Sequence, residues 1–414
     1  MTIALDGGNA PCDSVSRSGA LVSPPAAGER GGRTQETVER MTAKRTKSPP
    51  NLHGARSAPS EFQGQTKPGN LTPALNVLLG GATLSADEAA AAFEAIMSGQ
   101  AHDGEIGALL ALLATHVPTA DEILGAAGVM RSHVDAVRSS CDPSQIVDTA
   151  GTGGAPKTFN VSTAAAIIAA AAGATVAKHG NRSRTGRGSA EVLAQLGVNV
   201  DADRDTQARC LEQAGICFCF AIHHHPAAKY AMPVRLALGF PTIFNLLGPL
   251  TNPAGARRQL MGVYDRRFLK PIAQALVALG AVRAIVVHSD DGLDELSISA
   301  PTRLVHVSDG QLAEQTVDPR SLGLSPANRE TVLAVDLEHA TAMMRSVIEG
   351  TETGPPRDMA LLNTAATLLV ADKVASLDQG LQLAARAIDS GAAAGTLGRL
   401  VELSNEEPPG GAGG

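Results

Sequence analysis

Three stretches of this chain carry residues whose types and spacing suit chemistry on a phosphorylated substrate. The first, Asp148 to Ala174, reads DTAGTGGAPKTFNVSTAAAIIAAAAGA. An apolar strand runs into a turn containing Gly151, Gly153 and Gly154, and the turn into an alanine-rich helix opened by Asn160, Ser162 and Thr163. Glycine lets a backbone bend and approach a ligand closely. A helix starting at such a turn aims unpaired N–H groups and partial positive charge at it, which suits a phosphate. Hydroxyls of Thr152, Thr158, Ser162 and Thr163 complete the cradle. The second stretch, Lys178 to Ser189 (KHGNRSRTGRGS), holds Lys178, Arg182, Arg184 and Arg187 among Gly180, Gly186 and Gly188. It reads either as a solvated loop or as a basic cover over an anion, since Arg and Lys give charge-assisted bonds to phosphate. The third, Val287 to Glu295, ends a hydrophobic strand in Asp290, Asp291, Asp294 and Glu295. It is either a polar Asp-Gly turn or a set of oxygen ligands for Mg²⁺, without which such acids repel one another.

Two familiar phosphate loops are excluded by Pro156. A dinucleotide-binding G-x-G-x-x-G begun at Gly151 needs glycine there. A nucleotide-triphosphate loop has Gly151, Lys157 and Thr158 in register, but again requires glycine at Pro156, and proline has no N–H to offer a phosphate. Cys210, Cys217 and Cys219 ahead of His223, His224 and His225 raise a zinc site. The spacing matches no closed zinc pattern, and Cys217–Ile222 alternates like a strand with both sulfurs on one face.

The elements that must position these residues are of two kinds. From Leu71 to about Val137 the pattern is helical, with capping boxes at Ser85–Glu88 and Thr119–Glu122. Phe93, Ile96 and Met97, then Ile106, Leu109, Leu110 and Leu113, form apolar stripes. After Cys141, short β-branched runs alternate with helical patterns: Ile146–Val147, Ala174–Ala177, Val198–Val200, Cys217–Ile222, Met261–Val263, Ala284–His288 and Leu304–Val307. The expectation is an α/β fold, with a small N-terminal helical domain and a large α/β domain around a mostly parallel sheet, its ligands at the carboxyl ends of strands. Ser189 is expected to cap the helix after the basic loop.

The expected domain plan is an extension over 1–70, rich in Ser, Pro, Gly, Arg and Lys and read as disordered, with Met1 or Met41 as its start. A helical domain follows over 71–138, an α/β domain over 139–404 and a flexible tail over 405–414. A net charge of −7 and the absence of Trp, with 2 Tyr and 8 Phe, argue against a nucleic-acid binder. No apolar run reaches membrane-spanning length, and five cysteines without a disulfide pattern point to the cytoplasm.

Together these stretches resemble the anthranilate phosphoribosyltransferases, a family that also resembles the pyrimidine nucleoside phosphorylases. The matching residues are Gly151-Thr-Gly-Gly154, Asn160-Val-Ser-Thr163, Lys178-His-Gly-Asn-Arg182, Asn245-x-x-Gly-Pro-Leu-x-Asn-Pro253 and Asp291-Gly-x-Asp-Glu295, with support from Ser98-Gly99 and Leu361-Leu-Asn363. The resemblance covers about residues 71 to 404. It implies a homodimer, a later contribution to the helical domain near 225–240, and transfer of 5-phosphoribose from 5-phosphoribosyl diphosphate to the amino group of anthranilate, releasing diphosphate. It implies that Gly151, Thr152, Gly153, Gly154, Thr158, Asn160, Val161, Ser162, Thr163, Lys178 and Ser189 hold the donor. Anthranilate then meets Gly151, His179, Asn181 and Arg235, and Ser162, Asp294 and Glu295 serve Mg²⁺, two ions per subunit. The Asp294–Glu295 pair and KHGNR favour this activity over a phosphorylase, which needs no magnesium clamp. The chain departs from the family pattern at Ala155, where the usual GTGGD has Asp, and in the shortened loop Thr185-Gly-Arg-Gly188.

Overall fold

The computed structural model describes residues 69–183 and 186–406. The expected extension as far as residue 68, Arg184, Thr185 and the tail from residue 407 lie outside the described residues.

Four helices come first: α1 (Thr72–Leu79), α2 (Ala86–Met97), α3 (Asp103–Leu113) and α4 (Ala120–Ser132). Both expected capping boxes form. Ser85 Oγ accepts Glu88 N–H at 3.3 Å and Glu88 accepts Ser85 N–H at 2.9 Å; Thr119 and Glu122 repeat the exchange at 3.1 and 2.8 Å. Glu122 also accepts Leu84 N–H at 3.1 Å, so one buried carboxylate ties α4 to the start of α2. Phe93, Ile96, Met97, Ile106, Leu109, Leu110 and Leu113 are all buried, as the stripes require.

The chain then alternates strand and helix through β1 (Ile146–Asp148), α5 (Val161–Ala171), β2 (Thr175–Gly180), α6 (Ser189–Gln195), α7 (Arg204–Ala214), β3 (Ile216–Phe220) and α8 (Ala221–His224). Next come α9 (Met232–Leu238), α10 (Ile243–Leu247), β4 (Arg258–Gly262), α11 (Leu269–Ala278), β5 (Arg283–Ser289), β6 (Thr302–Ser308) and β7 (Gln311–Val317). Helices α12 (Leu337–Ile348), α13 (Pro355–Val370), α14 (Leu377–Asp389) and α15 (Ala392–Asn405) close the described fold.

The seven strands form one sheet in the order β3-β2-β1-β4-β5-β6-β7. The pairs from β3 to β5 are parallel, whereas β5-β6 and β6-β7 are antiparallel. Alternation along β5 divides the core: Ile285 and Val287 face the cluster containing α5, α13 and α15, while Ala284 and Val286 face the cluster containing α11 and the N-terminal helices. Beyond Ser162 and Thr163 in its first turn, helix α5 is apolar all round and is correspondingly buried. Val198–Val200, expected as a strand, is instead the connector between α6 and α7, held where Asn199 N–H donates to Ser404 Oγ at 3.1 Å. Strand β7 went unread because its exposed Gln311, Ala313, Glu314 and Gln315 leave no apolar run.

The order of strands reverses between β1 and β4: the chain goes outward through β2 and β3, then returns to the far side of β1. A crevice opens at such a switch point, beyond the carboxyl ends of the strands.

Candidate active site

A cleft of about 380 Å³ occupies that crevice. Its floor is Lys178, which the sequence reading assigned to a loop. Strand β2 runs on through Lys178, His179 and Gly180 because β3 pairs with it as far as Gly180↔Phe220. The lysine is therefore fixed by a ladder and is 3% exposed. Its Nζ donates to Thr149 Oγ1 at 3.1 Å and to Ser162 Oγ at 3.3 Å. Burial lowers its pKa to about 8, held from falling further by the charges of Asp148 and Glu295. Asp148, at the end of β1, is raised by burial to about 6. Lys178 and the bonds it accepts from His179 N–H (3.1 Å), Ala150 N–H (3.0 Å) and Asn252 Nδ2 (2.8 Å) oppose that rise. Asn252 also donates to Ala177 O at 2.7 Å, which locks β1 to β2.

The glycine turn forms one wall. Gly153 and Gly154 have φ of +62° and +99°, and a Cβ on Gly154 would press against the Tyr264 ring at 3.3 Å, so a side chain is both strained and crowded there. Thr152 anchors the turn to the end of β4, its N–H donating to Gly262 O at 2.9 Å and its Oγ1 accepting Tyr264 N–H at 3.1 Å. Asn160 enters α5 at φ 65° in the left-handed region, bringing the first turn of α5 to the cleft. Ser189 is the first residue of α6 and not its cap, since Gly188 holds that position.

Opposite stand Asp294 and Glu295. Glu295 accepts Thr158 Oγ1 at 3.0 Å and Ser162 N–H at 3.4 Å, so the acid wall is bonded to the glycine wall. Asn363 of α13 grips the end of the acidic turn from both sides, accepting Leu296 N–H at 3.0 Å and donating to Leu296 O at 2.8 Å. Gly262 is obligatory: a Cβ there would lie 1.6 Å from the carbonyl oxygen of Asp294. Burial raises the pKa of both acids, and for Glu295 the neighbouring Asp294 adds to it. Neither makes an ion pair among the described residues. Of the other two acids in the stretch, Asp290 pairs with Arg303 at 2.8 Å and Asp291 accepts Ser297 Oγ at 2.7 Å, both engaged elsewhere.

At the far end, His179, Asn181, Arg235, Phe244 and Asn245 line the cleft. The Arg235 guanidinium lies 4.9 Å from the centroid of the Phe244 ring. His179 is kept neutral, its pKa well below the usual imidazole range through burial and its histidine neighbours His225 and His224. Its Nε2 is buried without a hydrogen-bond partner. A buried polar atom without a partner is costly, and this one belongs to a residue of the cleft wall.

Of the residues singled out in the sequence, the cleft gathers Gly151, Thr152, Gly153, Thr158, Asn160, Ser162, Lys178, His179, Asn181, Ser189, Arg235, Asp294 and Glu295. Gly154, Val161 and Thr163 do not line it; Val161 and Thr163 are fully buried in the first turn of α5. In the basic loop Arg182 lies over Phe220 at 5.5 Å and Arg187 donates to Ala334 O, so neither guanidinium makes an ion pair with an acid of the cleft. Sequence reasoning missed Asp148, Gly262 and the positioning roles of Asn252 and Asn363. Both asparagines stand in motifs the sequence displays; Gly262 carried no local signal. Among the described residues no three His, Cys, Asp or Glu side chains are grouped to hold a metal, and Cys217 and Cys219 sit side by side at 3.8 Å inside the core.

Residues 143–394 match the glycosyl transferase family, a/b domain, and residues 72–134 its helical bundle domain. The chain is 47% identical to the anthranilate phosphoribosyltransferase of Methylobacterium nodulans over 80% of its own length and 98% of that protein. The crystal structure of anthranilate phosphoribosyltransferase from Thermus thermophilus superposes with a TM-score of 0.76 at 37% identity, over 80% of this chain and 99% of that one. That from Saccharomyces cerevisiae, in complex with PRPP and Mg, gives 0.74 at 25% identity, over 81% and 97%.

Proposed function

The chain is a member of the anthranilate phosphoribosyltransferase family, and on that premise we propose how its cleft performs the family's reaction, transfer of 5-phosphoribose from 5-phosphoribosyl diphosphate to the amino group of anthranilate. The observation that carries the assignment is that the cationic floor at Lys178, the first turn of α5 and the Asp294–Glu295 pair face one cleft at the strand switch point.

In the reaction the bond from ribose C1 to the diphosphate oxygen breaks, its electron pair leaving with the diphosphate. The amine lone pair forms the new bond to C1, and the amine gives up one proton. Positive charge grows on the sugar and negative charge on the leaving group. Lys178 Nζ, the turn residues Gly151 to Gly153 and the hydroxyls of Thr158 and Ser162 hold the donor where that negative charge develops. Val161 and Thr163 contribute through the backbone of the first turn of α5 and not through side chains at the cleft wall. Asn181, Arg235 and neutral His179 orient anthranilate, Arg235 toward its carboxylate and the unpartnered His179 Nε2 toward a polar group of the acceptor. A weakly basic aromatic amine needs placing more than deprotonating, so the absence of a strong base at this end is no obstacle.

The donor set fits magnesium. Asp294, Glu295 and Ser162 Oγ are all oxygen ligands, two of them acids whose burial disfavours their charge until a cation is near. Two carboxylates and a hydroxyl leave the rest of the shell to substrate oxygens, as is usual for Mg²⁺. When bound, the ion neutralises charge on the departing diphosphate; we assign two ions per subunit.

The same reading takes the chain as a cytoplasmic homodimer, with a helical domain over 71–138 joined by part of 225–240 and an α/β domain over 139–404. Exposed Leu79, Met232 and Leu236 support an interface on the helical side, and Val234 of α9 shares a buried cluster with α2 to α4. No helix of the described residues is long and apolar enough to cross a membrane.

The test is the loss of anthranilate fluorescence on mixing with 5-phosphoribosyl diphosphate and Mg²⁺. Consumption that stops on adding EDTA is expected. No consumption by folded protein would move the assignment to a different acceptor.

A further inference from the structure

The segment Arg329–Ala334 lines no part of the cleft, yet it bonds to all three loops that build it. Its backbone pairs with the glycine turn on both sides of Thr158. Phe159 N–H donates to Val332 O at 3.2 Å and Ala334 N–H to Lys157 O at 3.3 Å, an antiparallel bridge between Thr158 and Leu333. Its Ala334 carbonyl also accepts the Arg187 guanidinium of the basic loop. The Arg187 carbonyl in turn accepts Asn160 Nδ2 at 3.2 Å, at the head of α5. At its other end, Arg329 Nη1 donates to Asp291 O at 2.7 Å, in the acidic turn just ahead of Asp294. The segment itself is held by Val332, fully buried in the main core, and by Ala334, which is 4% exposed.

We propose that Arg329–Ala334 is a strap that sets the spacing of the glycine turn, the basic loop and the acidic turn, with Arg329 as a positioning residue for Asp294 and Glu295. The proposal rests on the donor site described above. Asn363 fixes the acidic turn at Leu296, and Arg329 fixes it at Asp291, so the two acids lie between two clamps. Because Arg329 bonds the Asp291 carbonyl, it takes up neither carboxylate of the pair. Because the glycine turn hangs on the same strap, movement of the acidic turn is communicated to Thr158, which bonds Glu295 directly. Groups that orient metal ligands from behind change metal affinity or activity by about 10- to 100-fold when lost.

The experiment uses the full chain with Arg329→Met, Arg329→Lys and Arg187→Met, and reads two kinds of signal. In steady-state kinetics, Arg329→Met should raise the Mg²⁺ concentration for half-maximal rate and the donor KM about tenfold, leaving the anthranilate KM within about twofold. Arg329→Lys, which keeps a donor, should recover most of the loss. Arg187→Met should raise the donor KM in the same direction, and the double variant should lose less than the product of the two, since both act through one strap. In the ligand-free protein, hydrogen exchange of peptides covering 289–296 should be faster in Arg329→Met, while peptides from α2 to α4 are unchanged. Equal effects on both substrates' KM, or unchanged exchange at 289–296, would overturn the strap. If Arg329→Met does not fold, Arg187→Met decides the matter through the exchange of 157–160. An inactive wild-type protein would remove the donor-site reading, and the exchange measurements would still decide whether the strap positions the loops.

Discussion

The floor and the rim of the cleft are built in opposite ways. At the floor, Lys178, His179 and Asp148 are strand residues whose places are set by the ladders of β1 to β4, and they share a buried network in which Asn252 donates to Asp148, Lys178 donates to Thr149 and Ser162, and the Lys178 charge acts on Asp148 through space. At the rim, the glycine turn and the basic loop belong to no ladder, and their long-range bonds run to Gly262, Tyr264, Glu295 and residues 332–334. A buried network in low dielectric fixes charge at one point and is costly to disturb. A rim held by a few backbone bonds can shape itself to a substrate, and its errors cost less. Substitutions at the floor should therefore act on the chemical step and on stability together, those at the rim on substrate affinity alone.

The largest effect is expected at Lys178. Lys178→Met should lower kcat/KM about 10³-fold, the scale of losing one charge-stabilising donor at a reacting centre. It also removes the cation that opposes the rise in Asp148's pKa. An acid whose folded pKa is raised contributes stability below its unfolded value and loses it as pH rises through the folded one. Asp148 already stands near 6 with Lys178 present, so the stability deficit of the variant should widen between pH 5 and pH 8. A denaturation series giving the same deficit at both ends would show that the two groups are not coupled as the floor geometry implies.

Next comes the wall between floor and rim. Glu295→Gln should cost about 10²-fold in magnesium-dependent rate. In protein freed of metal with EDTA it should raise the melting temperature at pH 8, because burial and Asp294 make the charged acid unfavourable there. Activity lost together with a lower melting temperature would mean that Glu295 is a structural acceptor for Thr158 and not a cation ligand.

The contrast also explains what the sequence could tell. Lys178-His179-Gly180 on the floor and Gly151-Thr152-Gly153 on the rim were legible because each carries its chemistry in consecutive positions. Capping boxes at Ser85 and Thr119 were legible for the same reason, each closing over three residues. What escaped was non-local or lacked contrast. Gly262 is required by a carbonyl from Asp294, far along the chain. Arg329 reaches Asp291 across 38 positions without a motif around it. Val198–Val200 had the composition of a strand, but no neighbour with a free edge pairs with it. At β7, outward polar residues hid a strand that pairing with β6 alone determines.

At the end proposed for the acceptor, Arg235→Ala should raise the anthranilate KM about 10- to 150-fold, the range for a hydrogen bond to a charged group, and leave the donor KM within about threefold. A larger shift for the donor would place this arginine in the wrong half of the cleft.

The smallest effect sharpens the reading of the rim. Ala155 lines the cleft where the family pattern has an aspartate. Adding a carboxylate at this position would place negative charge near the proposed diphosphate site, and its effect depends on how much cation is present to screen it. Ala155→Asp should raise the donor KM about two- to threefold when Mg²⁺ is limiting, as expected of one unpaired charge in a partly solvated site. The difference should vanish at saturating Mg²⁺, with kcat and the melting temperature unchanged throughout. A fall in kcat at saturating metal would show that the turn controls the chemical step and that floor and rim are not separable, the one result that breaks the comparison itself.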